Sequence, residues 1–165
     1  MNPSLNPQAS PRFRLRLGVT ILVIAVTVLV GLPGFAGAQP ISLSCLGGER
    51  LSETDLARGT TIIVVWASWS PRSRDIVERV SPLAGRWGGR ARVLTVNFQE
   101  NAPAVQGFLA GKSFGAPVCL DPDGAFSKKY NVATLPGLLV VKDGQVAFRG
   151  RLPEDPDRVI GGLLQ

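Results

Sequence analysis

Residues 60–74 read TTIIVVWASWSPRSR, and this stretch decides the fold. Its first seven residues are apolar or β-branched without alternation, which predicts a strand buried on both faces. Such strands lie at the centre of partly parallel sheets that are covered by helices. The loop that follows leads into a helical pattern with one apolar face, formed by Ile76, Val77, Val80, Leu83 and Trp87. We expect Pro82 to kink or divide that helix.

The rest of the sequence alternates between further strands and helices. Residues 39–51 predict a hairpin around Gly47-Gly48, and residues 92–98 predict a second buried strand. A helix over 102–112, a short strand over 116–120, a turn at 121–124 and a short helix over 125–130 follow. The last predicted elements are a hairpin between strands 138–141 and 145–149 and a helix over 156–164. This order predicts an α/β sandwich with a partly parallel central sheet.

The first 38 residues have the pattern of a secretory signal. Three arginines, at positions 12, 14 and 16, precede an almost wholly apolar run over 17–30, and small residues at 36–38 form a cleavage site before Gln39. We therefore expect residues 1–38 to be a signal peptide and residues 39–165 to be one globular domain. No adjacent arginine pair precedes the apolar run, which favours the general secretory route. An uncleaved anchor is the alternative, although the apolar run is short for a membrane span.

The composition excludes several kinds of chemistry. The chain has 165 residues, of which 45% are hydrophobic, and it contains no histidine and two cysteines. Imidazole metal sites, thiolate zinc clusters and Ser-His catalysis are therefore excluded, and we expect neither a metal nor a cofactor. Six arginines between positions 72 and 92 face only Asp75 and Glu78. That excess is typical of a solvated surface, or of a docking patch for an acidic partner or an anionic membrane.

The segment from Ile62 to Arg74 resembles the strand and loop of TlpA/ResA-like thioredoxins of the bacterial cell envelope, whose pattern is an apolar strand followed by W-A-x-W-C-x-x-C-R. The turn DPDG at 121–124 and a Y-x-V-x-x-x-P pattern over 130–136 follow in the family's order. The resemblance covers residues 41–164. It implies a thioredoxin fold, which is a three-layer α/β/α sandwich with a mixed central sheet, an N-terminal β-hairpin and a central helix-strand insertion. It also implies a periplasmic or otherwise extracytoplasmic location.

The chain departs from that family at the reactive positions. Ser70 and Ser73 stand where the family has its two redox cysteines. A serine hydroxyl is not ionised near neutral pH without a base and cannot form a disulfide, so two-cysteine exchange at this site is excluded. The serines are interpreted as polar replacements, with Ser70 capping the following helix and Pro71 at its first position. Hydrolysis by Ser70 is not expected, because no histidine or nearby lysine could act as its base.

The resemblance implies that the family's groove is otherwise retained, on Trp69, Ser70, Pro71, Arg72, Ser73, Leu135 and Pro136. It implies a cis bond between Leu135 and Pro136, with the backbone of Leu135 free to pair with an extended peptide. Glu100 lies where many relatives carry an acidic residue that is implied to tune proton transfer of the motif's thiols. This chain has no thiol there, so a surface or hydrogen-bonding role fits Glu100 at least as well. We expect Trp66 to pack in the core and Trp69 to stay partly exposed.

Cys45 and Cys119 leave three interpretations open. Cys45 lies in the predicted hairpin and Cys119 in the predicted strand over 116–120, and neither follows a cation cluster or begins a helix. The pattern fits small buried residues, a disulfide between the two, or a reactive thiol.

Two functional hypotheses follow. The first is a non-redox binding or accessory protein of the cell envelope that engages an extended segment of an envelope protein and does not bind nucleic acid. The second is a thiol-disulfide oxidoreductase or antioxidant redoxin that works through Cys45, Cys119 or a partner's thiols. In relatives such chemistry serves envelope disulfide or cytochrome maturation.

Overall fold

The computed structural model describes residues 40–112 and 114–165, so the predicted signal peptide lies outside the described residues. Seven strands and five helices follow one another along this part of the chain. Their bounds are β1 Ser42–Ser44, β2 Arg50–Ser52, α1 Glu53–Leu56, β3 Thr60–Trp66, α2 Ile76–Trp87, β4 Arg92–Phe98, α3 Ala102–Leu109, β5 Val118–Asp121, α4 Ala125–Lys129, β6 Gly137–Lys142, β7 Gln145–Arg151 and α5 Pro156–Leu163.

The central sheet has the strand order β5-β4-β3-β6-β7, and a separate two-stranded sheet is formed by β1 and β2. Strands β3, β4 and β5 are parallel, whereas β6 and β7 are antiparallel to their neighbours. This is a thioredoxin-like α/β fold with a mixed sheet and an N-terminal hairpin, as predicted. The unalternating apolar sequence of β3 reflects its central place, because both of its faces are covered.

The two faces of β3 belong to two separate cores. Ile62, Val64 and Trp66 face a cluster that includes the apolar sides of α2, α3 and α5. Ile63 and Val65 face a second cluster, to which the hairpin, α1 and α4 contribute. This alternation produces the three-layer arrangement, and it places the end of β3 at the edge of both cores.

Helix α2 is continuous through Pro82, so the expectation that this proline divides the helix is wrong. Proline removes the bond to the carbonyl four residues earlier, which belongs to Glu78. Both residues are exposed, and water can therefore hydrate that carbonyl. The five predicted apolar positions of the helix are all buried, and their burial outweighs one missing backbone bond.

Two carboxylates fix the segments that flank the sheet. The buried side chain of Asp121 accepts hydrogen bonds from the N–H groups of Phe126 and Ser127, at 3.0 and 2.9 Å, which anchors α4 behind β5. Glu53 accepts a hydrogen bond from the Lys129 ammonium and another from the Ile41 N–H. The bond from Lys129, and then that from Ile41, hold the pKa of Glu53 below its ordinary value.

Candidate functional site

Glu100 anchors the loop after β3 through hydrogen bonds from Ser68. Its carboxylate accepts hydrogen bonds from the backbone N–H of Ser68, from the Ser68 hydroxyl and from the Asn97 amide, the first and last at 2.7 Å. Asn97 is fully buried at the end of β4, directly beside Trp66 in the register of β3 and β4. Glu100 is therefore a hydrogen-bonding residue of this loop, and its effect is to fix the path of the chain just before Trp69.

Sequence reasoning singled out Glu100 but missed both of its partners. The signal for Asn97 was an amide in an otherwise apolar strand, three residues before a carboxylate. Most buried polar side chains have a hydrogen-bond partner, and the Asn97 amide has one in Glu100.

The two tryptophans of the loop have opposite environments, as expected. Trp66 is fully buried, and its ring lies 5.2 Å from that of Phe108 and 5.9 Å from that of Phe114. Trp69 is 58% exposed and has Phe98 at its side, with 6.4 Å between the ring centroids. Most of the apolar area of this indole therefore stays in water within the described chain.

Ser70 does not cap helix α2 with its side chain, so that expectation is wrong, whereas Pro71 does stand at the first position of the helical turn that follows Ser70. The chain first makes a single 3₁₀ turn over Pro71–Ser73, and α2 begins only at Ile76 after Asp75. Ser70 precedes the turn but makes no side-chain cap; its carbonyl accepts the Ser73 N–H at 2.9 Å instead. The backbone thus takes the Ser73 N–H, which is one of the two that a capping side chain at Ser70 could bind.

Both serines are buried rather than presented to solvent. Ser70 is 6% exposed and Ser73 is fully buried, and within the described residues the Ser73 hydroxyl has no hydrogen-bond partner.

The peptide bond between Leu135 and Pro136 is cis, as the resemblance implies. Pro136 is buried, and its carbonyl accepts the N–H of Leu152 at 3.0 Å, which joins it to the end of β7. Gly137 permits this close packing, since a Cβ there would lie 2.8 Å from the Thr134 carbonyl oxygen. In the described part of the chain, the backbone N–H and C=O of Leu135 have no hydrogen-bond partner.

A groove of about 390 Å³ lies beside Pro136. It runs from the 3₁₀ turn to Pro136 and the end of β7 and is lined by Pro71, Arg72, Arg74, Asp75, Arg79, Pro136, Arg151, Leu152 and Glu154. The structure thus brings Pro71 and Arg72 together with Pro136, as the predicted groove requires. Trp69, Ser70, Ser73 and Leu135 do not line this cavity. The contribution of Arg151 was not foreseen, because it depends on how β7 is registered against β6.

Cys45 and Cys119 form a disulfide. Cys45 follows β1, Cys119 lies in β5, and the two are paired across an isolated antiparallel bridge. Their exposed fractions are 7% and 0%, and they belong to the core cluster that the hairpin covers. Of the three interpretations, the structure therefore gives the disulfide, which ties the hairpin to the sheet.

Two absences concern the described residues only. Nowhere in residues 40–112 and 114–165 do three or more histidine, cysteine or acidic side chains gather as a metal site would need. Over the same ranges, no helix combines the length and apolarity that would let it cross a membrane.

Solved structures with this fold include three that are instructive. An exposed lipoprotein thioredoxin of Streptococcus pneumoniae, Etrx1, is 19% identical with a TM-score of 0.66, covering 75% of this chain and 97% of its own. StoA of Bacillus subtilis is 20% identical with a TM-score of 0.62, covering 73% and 92%. A secreted disulfide oxidoreductase of Mycobacterium tuberculosis is 18% identical with a TM-score of 0.61, covering 74% and 93%. At such identities the likeness shows the fold alone.

No curated protein sequence matches the chain. The family model for redoxins, in contrast, matches residues 25–163, which is most of the sequence and includes every element from β1 to α5. With the mixed sheet, the cis-proline and the hairpin in the expected places, the chain belongs to the redoxin family.

Proposed function

We propose that this redoxin-family protein is an exported, TlpA/ResA-like binding or accessory protein, which holds an extended segment of an envelope protein beside Pro136 without exchanging electrons there. Residues 1–38 would direct its export and residues 39–165 would form the binding domain. The lipoprotein and the secreted oxidoreductase among the solved structures support a location outside the cytoplasm.

The observation that carries this proposal is the backbone of Leu135, which is unpaired directly before a cis-proline, Pro136, that lines one groove with Pro71 and Arg72. An extended peptide can satisfy that N–H and C=O as an added strand would. Ser70 and Ser73 then allow binding but not disulfide exchange, because a hydroxyl cannot replace a thiolate. Trp69, more than half exposed, would supply apolar contact area to the same segment.

The proposal is tested with a displayed library of random ten-residue peptides and the domain over residues 39–165, once it is shown to be folded. We expect the domain to retain a subset of peptides and Trp69→Ala to weaken individual retained peptides by about 30-fold, as loss of an aromatic anchor does. Val146→Ala is the matched control, since Val146 is the other large exposed apolar side chain of the described residues. Retention of no peptide, or equal losses in both variants, would contradict the proposal.

A second function has its own observation in favour of it. Cys45 and Cys119 form a disulfide, and one similar structure is a disulfide oxidoreductase. In such an exchange, a thiolate of the partner would attack one sulfur and release the other as a thiolate. Burial of both sulfurs opposes that attack in the native state. Reduction of insulin disulfides by dithiothreitol, accelerated by the wild type and not by Cys45→Ala/Cys119→Ala, would establish the second function in place of the first, with dithiothreitol supplying the electrons.

A further inference from the structure

The groove beside Pro136 carries an excess of positive charge. Four arginines line it, against the carboxylates of Asp75 and Glu154. Arginine is the side chain best suited to bind carboxylates, because its planar fork donates two parallel hydrogen bonds. The charge of this groove therefore favours a ligand that carries carboxylates over a neutral one, whereas its apolar surface makes no such distinction.

One of the four arginines is already occupied. Arg79 donates hydrogen bonds to the carbonyls of Leu152 and Pro153, at 3.3 and 3.0 Å, and its guanidinium lies 4.0 Å from Asp75. It joins α2 to the segment after β7 and helps to build the wall of the groove. Its guanidinium already donates hydrogen bonds within the chain, so it has fewer N–H groups to offer a ligand than the other three arginines.

The guanidinium groups of the other three, Arg72, Arg74 and Arg151, make no ion pair or hydrogen bond within the described chain, and all three residues are exposed. They approach Pro136 from two directions. Arg72 and Arg74 come from the 3₁₀ turn and the residue after it, whereas Arg151 pairs with Gly137 in the register of β6 and β7. Arg86, Arg92 and Lys129 each contact a carboxylate of the chain itself, whereas the three groove arginines do not. Other exposed cations such as Arg58 and Arg158 are also unpaired among the described residues, so the groove arginines are distinguished by lining one concavity beside Pro136.

We infer that the segment bound in this groove is acidic, with aspartate or glutamate side chains flanking the residue that pairs with Leu135. This inference rests on the proposed function and specifies the partner's chemistry. An extended segment advances about 3.3 Å per residue and directs alternate side chains to the same side. Carboxylates one to three residues away from the pairing position would then reach arginines on either side of Pro136. A flat anionic membrane fits less well, because the arginines surround a concavity next to unpaired backbone.

The test uses the same random ten-residue library and two charge-matched variants. Arg72→Gln/Arg74→Gln removes two groove cations, and folding is expected to be unaffected, since neither side chain has a partner. Arg58→Gln/Arg158→Gln removes two exposed cations that do not line the groove. We expect peptides retained by the wild type and by the control to be enriched in aspartate and glutamate. The groove variant should lose that enrichment, and it should bind individual acidic peptides about 4- to 25-fold more weakly, which is two- to fivefold per arginine.

Each outcome has a distinct meaning. Retained peptides without acidic enrichment, or enrichment that survives in the groove variant, would overturn this inference and leave the proposed function standing. Retention of no peptide would overturn both. Vesicles containing one third phosphatidylglycerol serve as the membrane arm. Binding to them that is lost in the groove variant, without acidic enrichment among peptides, would assign the arginines to a membrane and overturn the inference.

Discussion

The disulfide between Cys45 and Cys119 offers the sharpest test of how the hairpin and the sheet are held together. The two cysteines are 74 residues apart in sequence, so their bond closes a long loop in the unfolded chain. Loop-closure entropy for that length amounts to about 4 kcal/mol at 25 °C. Because small domains are stable by only about 5–15 kcal/mol, a loss of this size is a large part of the total. We therefore expect Cys45→Ala/Cys119→Ala to lower the free energy of unfolding by about 4 kcal/mol.

The measurement is urea unfolding of the domain over residues 39–165, followed by tryptophan fluorescence. Trp66 is fully buried and reports the loss of the core. The wild type is measured with and without a reductant, and the reductant should lower its stability to about that of the double alanine variant. The variant itself should not respond to the reductant, which makes it the matched control.

Two results would refute this reasoning. A loss below about 1 kcal/mol would show that the bond contributes little to the fold, either because the unfolded chain is compact or because the hairpin is held by other contacts. Reduction of the disulfide much faster than global unfolding would show that the sulfurs are reached in the native state. That second result would also favour the oxidoreductase function over the binding function.

Three further predictions concern the loop, the cis-proline and the hairpin. Glu100→Gln should lower the free energy of unfolding by about 1–3 kcal/mol in the same urea assay, because an amide cannot accept all three hydrogen bonds of the carboxylate. The control Glu154→Gln, at an exposed position, should change the free energy of unfolding by less than about 0.5 kcal/mol. Gly137→Ala should lower the free energy of unfolding by about 1–3 kcal/mol, because its Cβ would overlap with the Thr134 carbonyl oxygen, whereas Gly107→Ala in helix α3 meets no atom within 4 Å and should be neutral or stabilising by up to about 1 kcal/mol; equal effects would contradict this packing. The folded-state pKa of Glu53 lies below its ordinary value of 4.5, so its share of stability is present above that pH and lost as the pH falls through the folded-state pKa. Stability of Glu53→Gln measured from pH 7 to pH 3 should therefore fall less steeply than that of the wild type, and parallel curves would contradict the assignment.

The regular elements could be predicted because their signals are local. The unbroken apolar run of β3 and the helical spacing of Ile76, Val80 and Leu83 each encode both an element and the face that it buries. The prediction that Pro82 divides α2 was wrong because the sequence does not show that the Glu78 carbonyl, which loses its hydrogen bond, is exposed to water. Ser70 was misjudged for a related reason, since a serine before a proline fits a helix cap equally well when the chain makes a 3₁₀ turn.

The sequence by itself determined the order of strands and helices, the absence of histidine and the presence of Ser70 and Ser73 in the loop after β3. Only the tertiary structure decided that Cys45 is bonded to Cys119, that Glu100 binds Ser68 and that Arg151 lines the same groove as Arg72. These pairs are 74, 32 and 79 residues apart in the chain. Separations of this size carry no periodic signal, because the contact is set by which strands become neighbours and in what register.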